Sequence, residues 1–295
     1  LPVSLKTFWK TSIAAQSLYT ARDESKYNEQ IIKQNTISED GTENKFSMHS
    51  YFNFQLNQKH ILTTGLMLNY HHNNYNDVYT NDSTGKEISN LKTSLDGLMS
   101  SVYTDWNWQA TKKFQVKAGV NFNQFSYSNS FAVEPRLSVA YAICKKASLS
   151  ANYSYSSQYV PLRYYAYELS VTDDYLKPFA SQYMSLIYSH QLHDGLVLRI
   201  EPYLQLQTDV PVLGIIESAY SVLNEWESLS YFRLDNTGTG RNTGLDISLQ
   251  QFLTKRFYYL FSASAFDAKY EGSDETKRNK RFNNNYEFNA TAGYE

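Results

Sequence analysis

The chain has 295 residues, with 27 basic and 29 acidic side chains, so its formal net charge is −2. This near-balance argues against nucleic acid as a partner, because binding to phosphates needs a basic surface. Mean hydropathy is low at −0.52. No apolar run approaches the roughly 18 residues that a membrane-spanning helix needs.

Aromatic residues are unusually frequent, with 26 Tyr, 16 Phe and 4 Trp. A soluble domain buries only a limited number of tyrosines, because each hydroxyl needs a hydrogen-bond partner. A membrane β-barrel instead has two interfacial girdles that suit amphipathic rings. The single cysteine, Cys144, excludes an intrachain disulfide and fits neither a zinc site nor a redox pair.

Period-two alternation of apolar and polar residues recurs along almost the whole chain and predicts half-buried strands. Many predicted strands are about twice as long as the usual soluble strand, and roughly 9 to 11 residues suffice for a tilted strand to cross a bilayer. We therefore predict an all-β, antiparallel, up-and-down transmembrane barrel. The predicted strands, about twelve in number, cover residues 6–20, 45–57, 60–73, 97–110, 113–127, 132–144, 147–158, 180–192, 196–208, 240–252, 256–270 and 284–295.

The alternation also assigns a face to each strand residue. The apolar residues are expected to face lipid and the polar ones the lumen, and a slip of one residue would reverse every assignment on a strand. The outward set includes Phe114, Val116, Val120, Leu198, Ile200, Leu204, Phe288 and Ala290. The lumen set includes Lys117, Asn121, Arg199, Glu201, Gln205, Glu287 and Asn289.

The connections between predicted strands alternate in length. The short, polar turns are residues 57–59, 111–112, 145–146, 193–195 and 254–255. The long, hydrophilic stretches, interpreted as loops, are residues 22–44, 72–96, 158–179 and 208–239. Short turns at one end and long loops at the other are typical of outer-membrane barrels. A soluble sandwich has no reason to place all its long loops at one end.

No motif indicates catalysis, a cofactor or a phosphate-binding loop, so we expect no enzymatic activity and no cofactor. The adjacent His71 and His72 suggest a metal site at first sight, but neighbouring residues leaving a strand point in opposite directions. We therefore expect no metal site there.

Two sets of residues remain open to a binding role. The first consists of charges within strands, which contact a plug or a ligand or are simply solvated: Lys117, Arg136, Arg199, Glu201, Asp246 and Glu287. The second is the aromatic and polar stretch at residues 226–233, because exposed loops on a rigid scaffold often bind ligands. The alternative is that the long loops bind nothing and pack over one another as a lid. The sequence assigns no ligand-binding residue.

Several motifs resemble the barrel of TonB-dependent receptors, in particular the group with an N-terminal carboxypeptidase-like regulatory domain. Residues 134–138 (Glu-Pro-Arg-Leu-Ser) resemble a strand start of the family, and residues 209–212 resemble a strand end at an outer loop. The most specific series begins with residues 236–246 (Asn-Thr-Gly-Thr-Gly-Arg-Asn-Thr-Gly-Leu-Asp). It continues through Phe252, residues 257–259, residues 267–274, Arg278-Asn279 and Phe282-Asn283.

The resemblance implies a 22-stranded outer-membrane barrel of a diderm bacterium, closed by a plug and energised through TonB. Its implied partners are outer-membrane lipid, the TonB complex through the plug, and an imported ligand: an iron chelate, glycan, peptide or vitamin. The chain has about twelve strands, no plug, no signal peptide at residues 1–4 and no terminal aromatic residue. We therefore interpret residues 1–295 as a partial barrel domain, with the plug and the remaining strands absent.

Two other interpretations remain open. The main rival is a complete twelve-stranded barrel that acts as a passive pore or an outer-membrane enzyme. The other is a soluble β-sandwich that binds carbohydrate. A partial barrel predicts an open, curved sheet with few or no hydrogen bonds between the first and last long strands, whereas a complete barrel predicts a continuous ladder there.

Overall fold

The structure is a computed structural model that describes residues 2–4, 6–27, 33–80, 86–169, 176–214, 217–224, 234–254 and 256–295. In these residues the chain forms one antiparallel sheet of 14 strands that follow each other in chain order, except that β14 pairs with β12. The first half of the sheet comprises β1 (Pro2–Ser4), β2 (Thr7–Tyr27), β3 (Lys33–Gln55), β4 (His60–Thr80), β5 (Glu87–Gln109), β6 (Phe114–Phe125) and β7 (Ser130–Ala142). The second half comprises β8 (Ala147–Gln158), α1 (Leu162–Leu169), β9 (Phe179–His193), β10 (Leu196–Leu213), β11 (Leu234–Thr254), β12 (Phe257–Glu271), β13 (Lys277–Asn279) and β14 (Tyr286–Tyr294).

The twelve predicted strands are confirmed. They correspond to all the strands except β1 and β13, which have three residues each. The short connections lie between β3 and β4, β5 and β6, β7 and β8, β9 and β10, and β11 and β12, as predicted. We call the end of the sheet with these turns the inner end and the opposite end the outer end. No described helix is long and apolar enough to cross a membrane.

Two stretches that the sequence predicts to be loops are largely strand. The β2–β3 ladder continues to the pair Tyr27–Lys33, and the β4–β5 ladder continues to the pair Thr80–Glu87. These two hairpins therefore extend far beyond the predicted strand ends. Both faces of such an extension leave the membrane, so its residues lose the apolar alternation on which the prediction depended.

The register of the ladders separates two faces, as predicted. Val120 lies opposite Pro135 of β7, whereas the next residue, Asn121, lies opposite Tyr103 of β5 and Glu134 of β7. The same pairing on β9 to β14 puts Ile200 and the other apolar residues on one face and the polar residues on the other. We call these the apolar face and the polar face.

The sheet curves around its polar face. One buried cluster contains Tyr75 of β4, Tyr165 of α1, Val210 of β10 and Leu234 of β11. In a flat sheet, β4 and β11 would be roughly 34 Å apart, at about 4.8 Å per strand. A helix of eight residues, about 12 Å long, cannot bridge that distance. The polar face is therefore concave, as in the wall of a barrel.

The described sheet is open. β14 pairs with β12, and β2 pairs with β1 and β3, but no ladder in the described ranges joins β14 to β1 or β2. The predicted open, curved sheet is thus confirmed for the part of the chain that the structure describes. A continuous twelve-stranded cylinder does not fit this arrangement.

Candidate functional site

The polar face carries a charged pair at mid-height. Arg136 of β7 donates two hydrogen bonds to Asp105 of β5, with Nε–Oδ1 and Nη2–Oδ2 distances of 2.7 and 2.6 Å. The two side chains meet above Gly119 of β6, where an added Cβ would lie 2.1 Å from Asp105 Oδ1. Gly119 therefore allows the pair to cross the intervening strand. Both side chains are more than a third exposed, so the pair shapes a wet surface more than it stabilises the sheet.

A second polar network lines β9 to β11. Glu201 accepts hydrogen bonds from Tyr183 Oη at 3.2 Å and from Arg199 Nη2 at 2.7 Å. Gln205 donates to Ser181 at 2.8 Å and accepts from Asn242 Nδ2 at 2.7 Å. Apart from the Arg199–Glu201 pair, which lies within β10, these contacts join neighbouring strands on the polar face.

All six strand charges proposed from the sequence lie on the polar face. Arg136, Arg199 and Glu201 belong to the networks above, and Glu287 accepts a hydrogen bond from Asn289. Lys117 lies opposite Asn107 and Asp246 lies opposite Glu201. The polar face thus combines both signs of charge with amide and hydroxyl groups.

The outer end of this face is covered by the connection between β8 and β9. We call its described residues, 159–169 and 176–178, the cap. Tyr165 is fully buried, with its ring centroid 5.7 Å from that of Phe125 and 5.3 Å from that of Tyr127. Leu162 and Leu176 are buried in the same cluster. The cap therefore packs as a small apolar core inside the concave face.

Arg163 anchors the cap to the wall. Its side chain is 9% exposed, and its Nε lies 3.4 Å from Asp77 Oδ2, while its Nη1 lies 3.8 Å from Glu39 Oε2. The guanidinium also lies over the ring of Tyr75, at 4.7 Å from the centroid. Asp77 and Glu39 are nearly or fully buried, and a buried carboxylate is stable as an anion only near a positive partner. Arg163 supplies positive charge to both carboxylates, and Arg22 of β2 adds to it at Glu39, with Nη1 3.9 Å from Oε2.

The wall is shaped to receive this guanidinium. A Cβ added to Gly41 of β3 would lie 2.3 Å from Arg163 Nη2, so no larger residue fits there without displacing the arginine. Gly41 lies directly opposite Tyr75 in the β3–β4 register. Burial is the main factor that raises the pKa of Tyr75 above its usual range, so the phenol stays neutral beside the ion pairs.

Sequence reasoning missed Arg163, Asp77 and Glu39, because all three lie in stretches predicted to be loops. One signal was present: Leu162-Arg163-Tyr164-Tyr165 is an apolar and aromatic run interrupted by one arginine. Such a run in a hydrophilic connection is typical of a segment that packs against the wall.

Residues of the motif series at 267–283 form hydrogen bonds and an ion pair at the outer end of the sheet. Arg278 donates to Asp274 at 2.8 and 2.5 Å, which keeps the pKa of Asp274 low. Asn283 accepts a hydrogen bond from the Ala268 amide at 3.0 Å. Lys280 donates to Gln207 at 2.6 Å, and burial lowers the pKa of Lys280 to about 8.

Two further sequence hypotheses concern loops and histidines. Residues 226–233 lie outside the described residues. His72 lies on the apolar face with Nδ1 2.9 Å from Asp96, whereas His71 lies on the polar face opposite Lys45. The two imidazoles point apart, as strand geometry predicts.

Comparison with known proteins gives one family and a consistent set of folds. A family model described as "TonB dependent receptor-like, beta-barrel" matches residues 4–295. The fold is similar to that of the ferric-catecholate import receptor Fiu of Escherichia coli K12, with 10% identity, a TM-score of 0.74, and coverage of 99% of this chain and 50% of that chain. No curated protein matches the sequence.

Two other solved structures show the same likeness. The ferric yersiniabactin uptake receptor FyuA of Yersinia pestis has 12% identity and a TM-score of 0.72, over 98% of this chain and 45% of that chain. The ferric enterobactin receptor PfeA of Pseudomonas aeruginosa has 13% identity and a TM-score of 0.69, over 99% of this chain and 45% of that chain. The chain spans about half the length of these structures.

Proposed function

The chain belongs to the β-barrel family of TonB-dependent receptors, and on that premise we propose that it forms part of the wall of an active outer-membrane importer. The observation that carries this proposal is the match of the family to residues 4–295, on a sheet whose six strand charges named from the sequence all line one concave face. A polar wall suits a plugged or water-filled lumen, and an apolar outer surface suits lipid.

We further propose that this wall is completed by additional strands and closed by a plug, through which TonB acts. The open edges at β1 and β14 and the coverage of about half of each matched structure support this proposal. Exposed sheet edges are costly in lipid, because backbone groups there find no water. An N-terminal carboxypeptidase-like regulatory domain stays a prediction.

The cap is the proposed place of first contact with a ligand. It covers the lumen at the outer end, where a ligand from outside the cell arrives before it meets a plug. Rings and mixed charges surround it, which is the surface type that binds compounds with both apolar and ionic groups. Proteins of similar fold include a ferric-catecholate import receptor, a ferric yersiniabactin uptake receptor and a copper transporter.

Energised uptake tests this proposal. Cells that carry the gene and cells that lack it would be given iron-55 bound to a catecholate chelator, copper-64 and labelled cobalamin, each with and without a functional tonB gene. We expect accumulation of one compound class that needs both genes. If uptake required this gene but not tonB, import would be passive and the proposal would be wrong.

The rival function is a passive pore formed by a complete barrel. It requires a ladder between β2 and β14, which the described residues do not contain. It also requires discrete single-channel conductance from the purified chain in a planar bilayer. The proposed function predicts no such conductance.

A further inference from the structure

The inner end of the sheet is strongly basic. Its described connections contain seven basic residues, all exposed: Lys6, Lys59, Lys112, Lys113, Lys145, Lys146 and Arg256. The acidic residues described there are Asp194 and Glu295, which follows β14. Of the 27 basic and 29 acidic residues of the chain, 20 and 27 lie elsewhere. The low net charge of the chain therefore conceals a positive inner end and an acidic remainder.

Hydrogen bonds fix the backbone of two of these turns next to each other. Asn57 Oδ1 accepts a hydrogen bond from the backbone N–H of Lys59 at 2.8 Å. Thr111 Oγ1 accepts one from the backbone N–H of Lys113 at 3.1 Å. The Lys59 carbonyl accepts a hydrogen bond from the Gln109 N–H at 2.8 Å, which joins the first turn to the end of β5. The lysine side chains of both turns have no hydrogen bond or ion pair within the described residues and extend into solvent.

A stack of three rings lies on the apolar face between these turns. Trp108 of β5 lies opposite His60 of β4 and opposite Val116 of β6, which belongs to the apolar face. The ring centroids of Trp106 and Trp108 are 5.4 Å apart, and the His60 ring lies 5.6 and 6.0 Å from them, with interplanar angles of 10° or less. Trp106 Nε1 donates to His60 Nδ1 at 3.0 Å, which fixes the imidazole in the stack. We call these three residues the Trp–His stack.

The Trp–His stack lies at the inner boundary of the apolar band. From Trp108 to Leu98, ten residues along β5, the height is roughly 26 Å at about 3.4 Å per residue and a tilt of about 40°. Beyond Leu98 the same face continues with the polar residues Asp96 and Ser94. The apolar band of such barrels is about 25 Å tall. The stack therefore lies at the depth of the inner-leaflet headgroups, where amphipathic rings are favoured.

A second group of stacked rings continues this girdle on β2 and β3. The Trp9 ring lies 6.0 Å from the Phe52 ring at 14°, and the Phe52 ring lies 5.8 Å from the Phe54 ring at 15°. Lys6 lies beside this group, because its carbonyl accepts a hydrogen bond from the N–H of Gln55, the residue after Phe54. Rings at headgroup depth next to basic connections thus recur along the inner end.

The sign of the charge, and not a fixed geometry, selects the lipid. A lysine side chain near a membrane surface attracts anionic headgroups while its methylene stem packs on apolar surface. Phosphatidylethanolamine has no net charge and gains little from such a surface, whereas phosphatidylglycerol carries a net negative charge. The inner leaflet of an outer membrane presents both lipids. Because the rings lie at headgroup depth, lipid phosphates are the anions nearest to the lysines.

We propose that the inner turns bind anionic phospholipids of the inner leaflet, with the principal site at the Trp–His stack. Lys59, Lys112 and Lys113 attract the lipid phosphate, and the glycerol and upper acyl chains lie on the flat rings. His60 contributes a further donor: its Nδ1 accepts the indole N–H, so its ring proton is on Nε2. This site needs the orientation of the wall in the membrane but not the import function, so either can fail without the other.

The test uses the receptor purified from outer membranes and placed in nanodiscs of equal parts phosphatidylglycerol and phosphatidylethanolamine with the same acyl chains. Lipid that stays bound after detergent extraction is measured by native mass spectrometry. We expect the unchanged receptor to retain phosphatidylglycerol several-fold over phosphatidylethanolamine, and high salt to shrink this ratio because it screens exposed charges. The triple variant Lys59→Gln, Lys112→Gln, Lys113→Gln should bring the ratio close to one.

Two control variants separate charge from packing. Lys86→Gln, Lys92→Gln and Lys277→Gln together remove the same charge from exposed positions at the outer end and should leave the ratio unchanged. Trp108→Leu breaks the stack but keeps every lysine, so it should lower the retained amount of both lipids while phosphatidylglycerol remains preferred. Each variant is compared only after heat-modified gel mobility shows a folded barrel.

Three results would overturn the proposal. The first is equal retention of the two lipids by the unchanged receptor. The second is a fall of the ratio in the outer-end triple variant as large as in the inner-end one. The third is an unchanged ratio in the inner-end variant, combined with loss of its binding to isolated peptidoglycan, which would assign the basic turns to the anionic cell wall.

Discussion

At the scale of single residues, Arg163 has the largest predicted effect on stability. Replacing Arg163 with alanine removes the guanidinium from two buried carboxylates, Asp77 and Glu39, and from the face of Tyr75. Breaking a buried ion pair on one side typically costs about 3–5 kcal/mol. We expect a loss of this size in urea unfolding of the receptor in lipid vesicles, together with new protease cleavage within residues 158–179.

A matched arginine provides the control. Arg199 pairs with Glu201 but is 49% exposed, so Arg199→Ala should cost about 1 kcal/mol or less. Equal losses for the two arginines, or an Arg163→Ala receptor whose cap stays resistant to protease, would contradict the anchoring role.

A second residue-scale prediction concerns pH. Burial lowers the pKa of Lys280 to about 8, whereas an unfolded lysine titrates near its usual value of about 10.4. Between these values the unfolded chain binds more protons than the folded chain, so stability should rise as pH increases from about 8 to 10. Below pH 8 the lysine is charged in both states and the gain is absent.

The Lys280→Met variant checks this prediction. Its unfolding should lose the rise above pH 8, because no titrating amine remains at that position. Lys277→Met, at an exposed position beside Glu271, should keep the rise. A rise of the same size in both variants would assign the pH dependence to another group.

At the scale of strands, the two faces predict opposite tolerance to charge. Val120→Arg or Ile200→Arg should cost roughly 2–4 kcal/mol near the bilayer midplane. Asn121→Arg or Gln205→Arg, on the polar face, should cost far less, chiefly the loss of the hydrogen bonds to Glu134 or Ser181. Folding into lipid vesicles measures both sets, and equal penalties would count against the face assignment.

Glycine and tyrosine pairs across neighbouring strands give another strand-scale prediction. A Cβ on Gly65 would lie 2.7 Å from the Tyr103 ring, and a Cβ on Gly244 would lie 2.6 Å from Tyr203 Oη. Gly65→Val should push Tyr103 away from His49, its hydrogen-bond partner at 2.9 Å, and destabilise the barrel by about 1–3 kcal/mol. Ala151→Val on the apolar face should be nearly neutral, and equal losses would contradict the close packing.

The sequence was sufficient to predict the strands and their faces, because lipid on one side and water on the other impose a period of two. It was not sufficient to predict the strand segments beyond the membrane, where no side of the sheet meets lipid. The outer parts of β2 to β5 meet no lipid, and the face that packs against the cap carries carboxylates such as Glu39 and Asp77 besides apolar side chains, so residues 22–44 and 72–96 lack the alternation and their sequence predicts loops.

The candidate site was predictable only in part. The strand charges were assigned to the polar face from parity alone, but their partners depend on register over several strands. Asp105 and Arg136, for example, are two strands apart. The contact of Arg163 with Asp77 depends on how the cap folds back into a curved sheet, and no local pattern encodes that contact.

At the scale of the whole molecule, the open edges lead to a prediction about the isolated chain. β14 and the β1–β2 edge would present unpaired backbone groups that lipid cannot satisfy. The purified 295-residue chain should therefore need detergent, form no stable channel and transport nothing. Planar-bilayer recording checks this, and discrete conductance steps would support a complete barrel instead.

The central claim is that β6 and its neighbours form a membrane wall with lipid on one side and an aqueous lumen on the other. Nitroxide labels placed singly at each position from Phe114 to Phe122, inward of the buried Asn123 and Phe125, in a Cys144→Ser background in lipid vesicles, test this claim most directly. Even-numbered positions should collide mainly with oxygen dissolved in lipid, and odd-numbered positions mainly with a water-soluble nickel chelate. Even-numbered positions shielded from both reagents would instead place the apolar side chains inside a soluble core and contradict the claim.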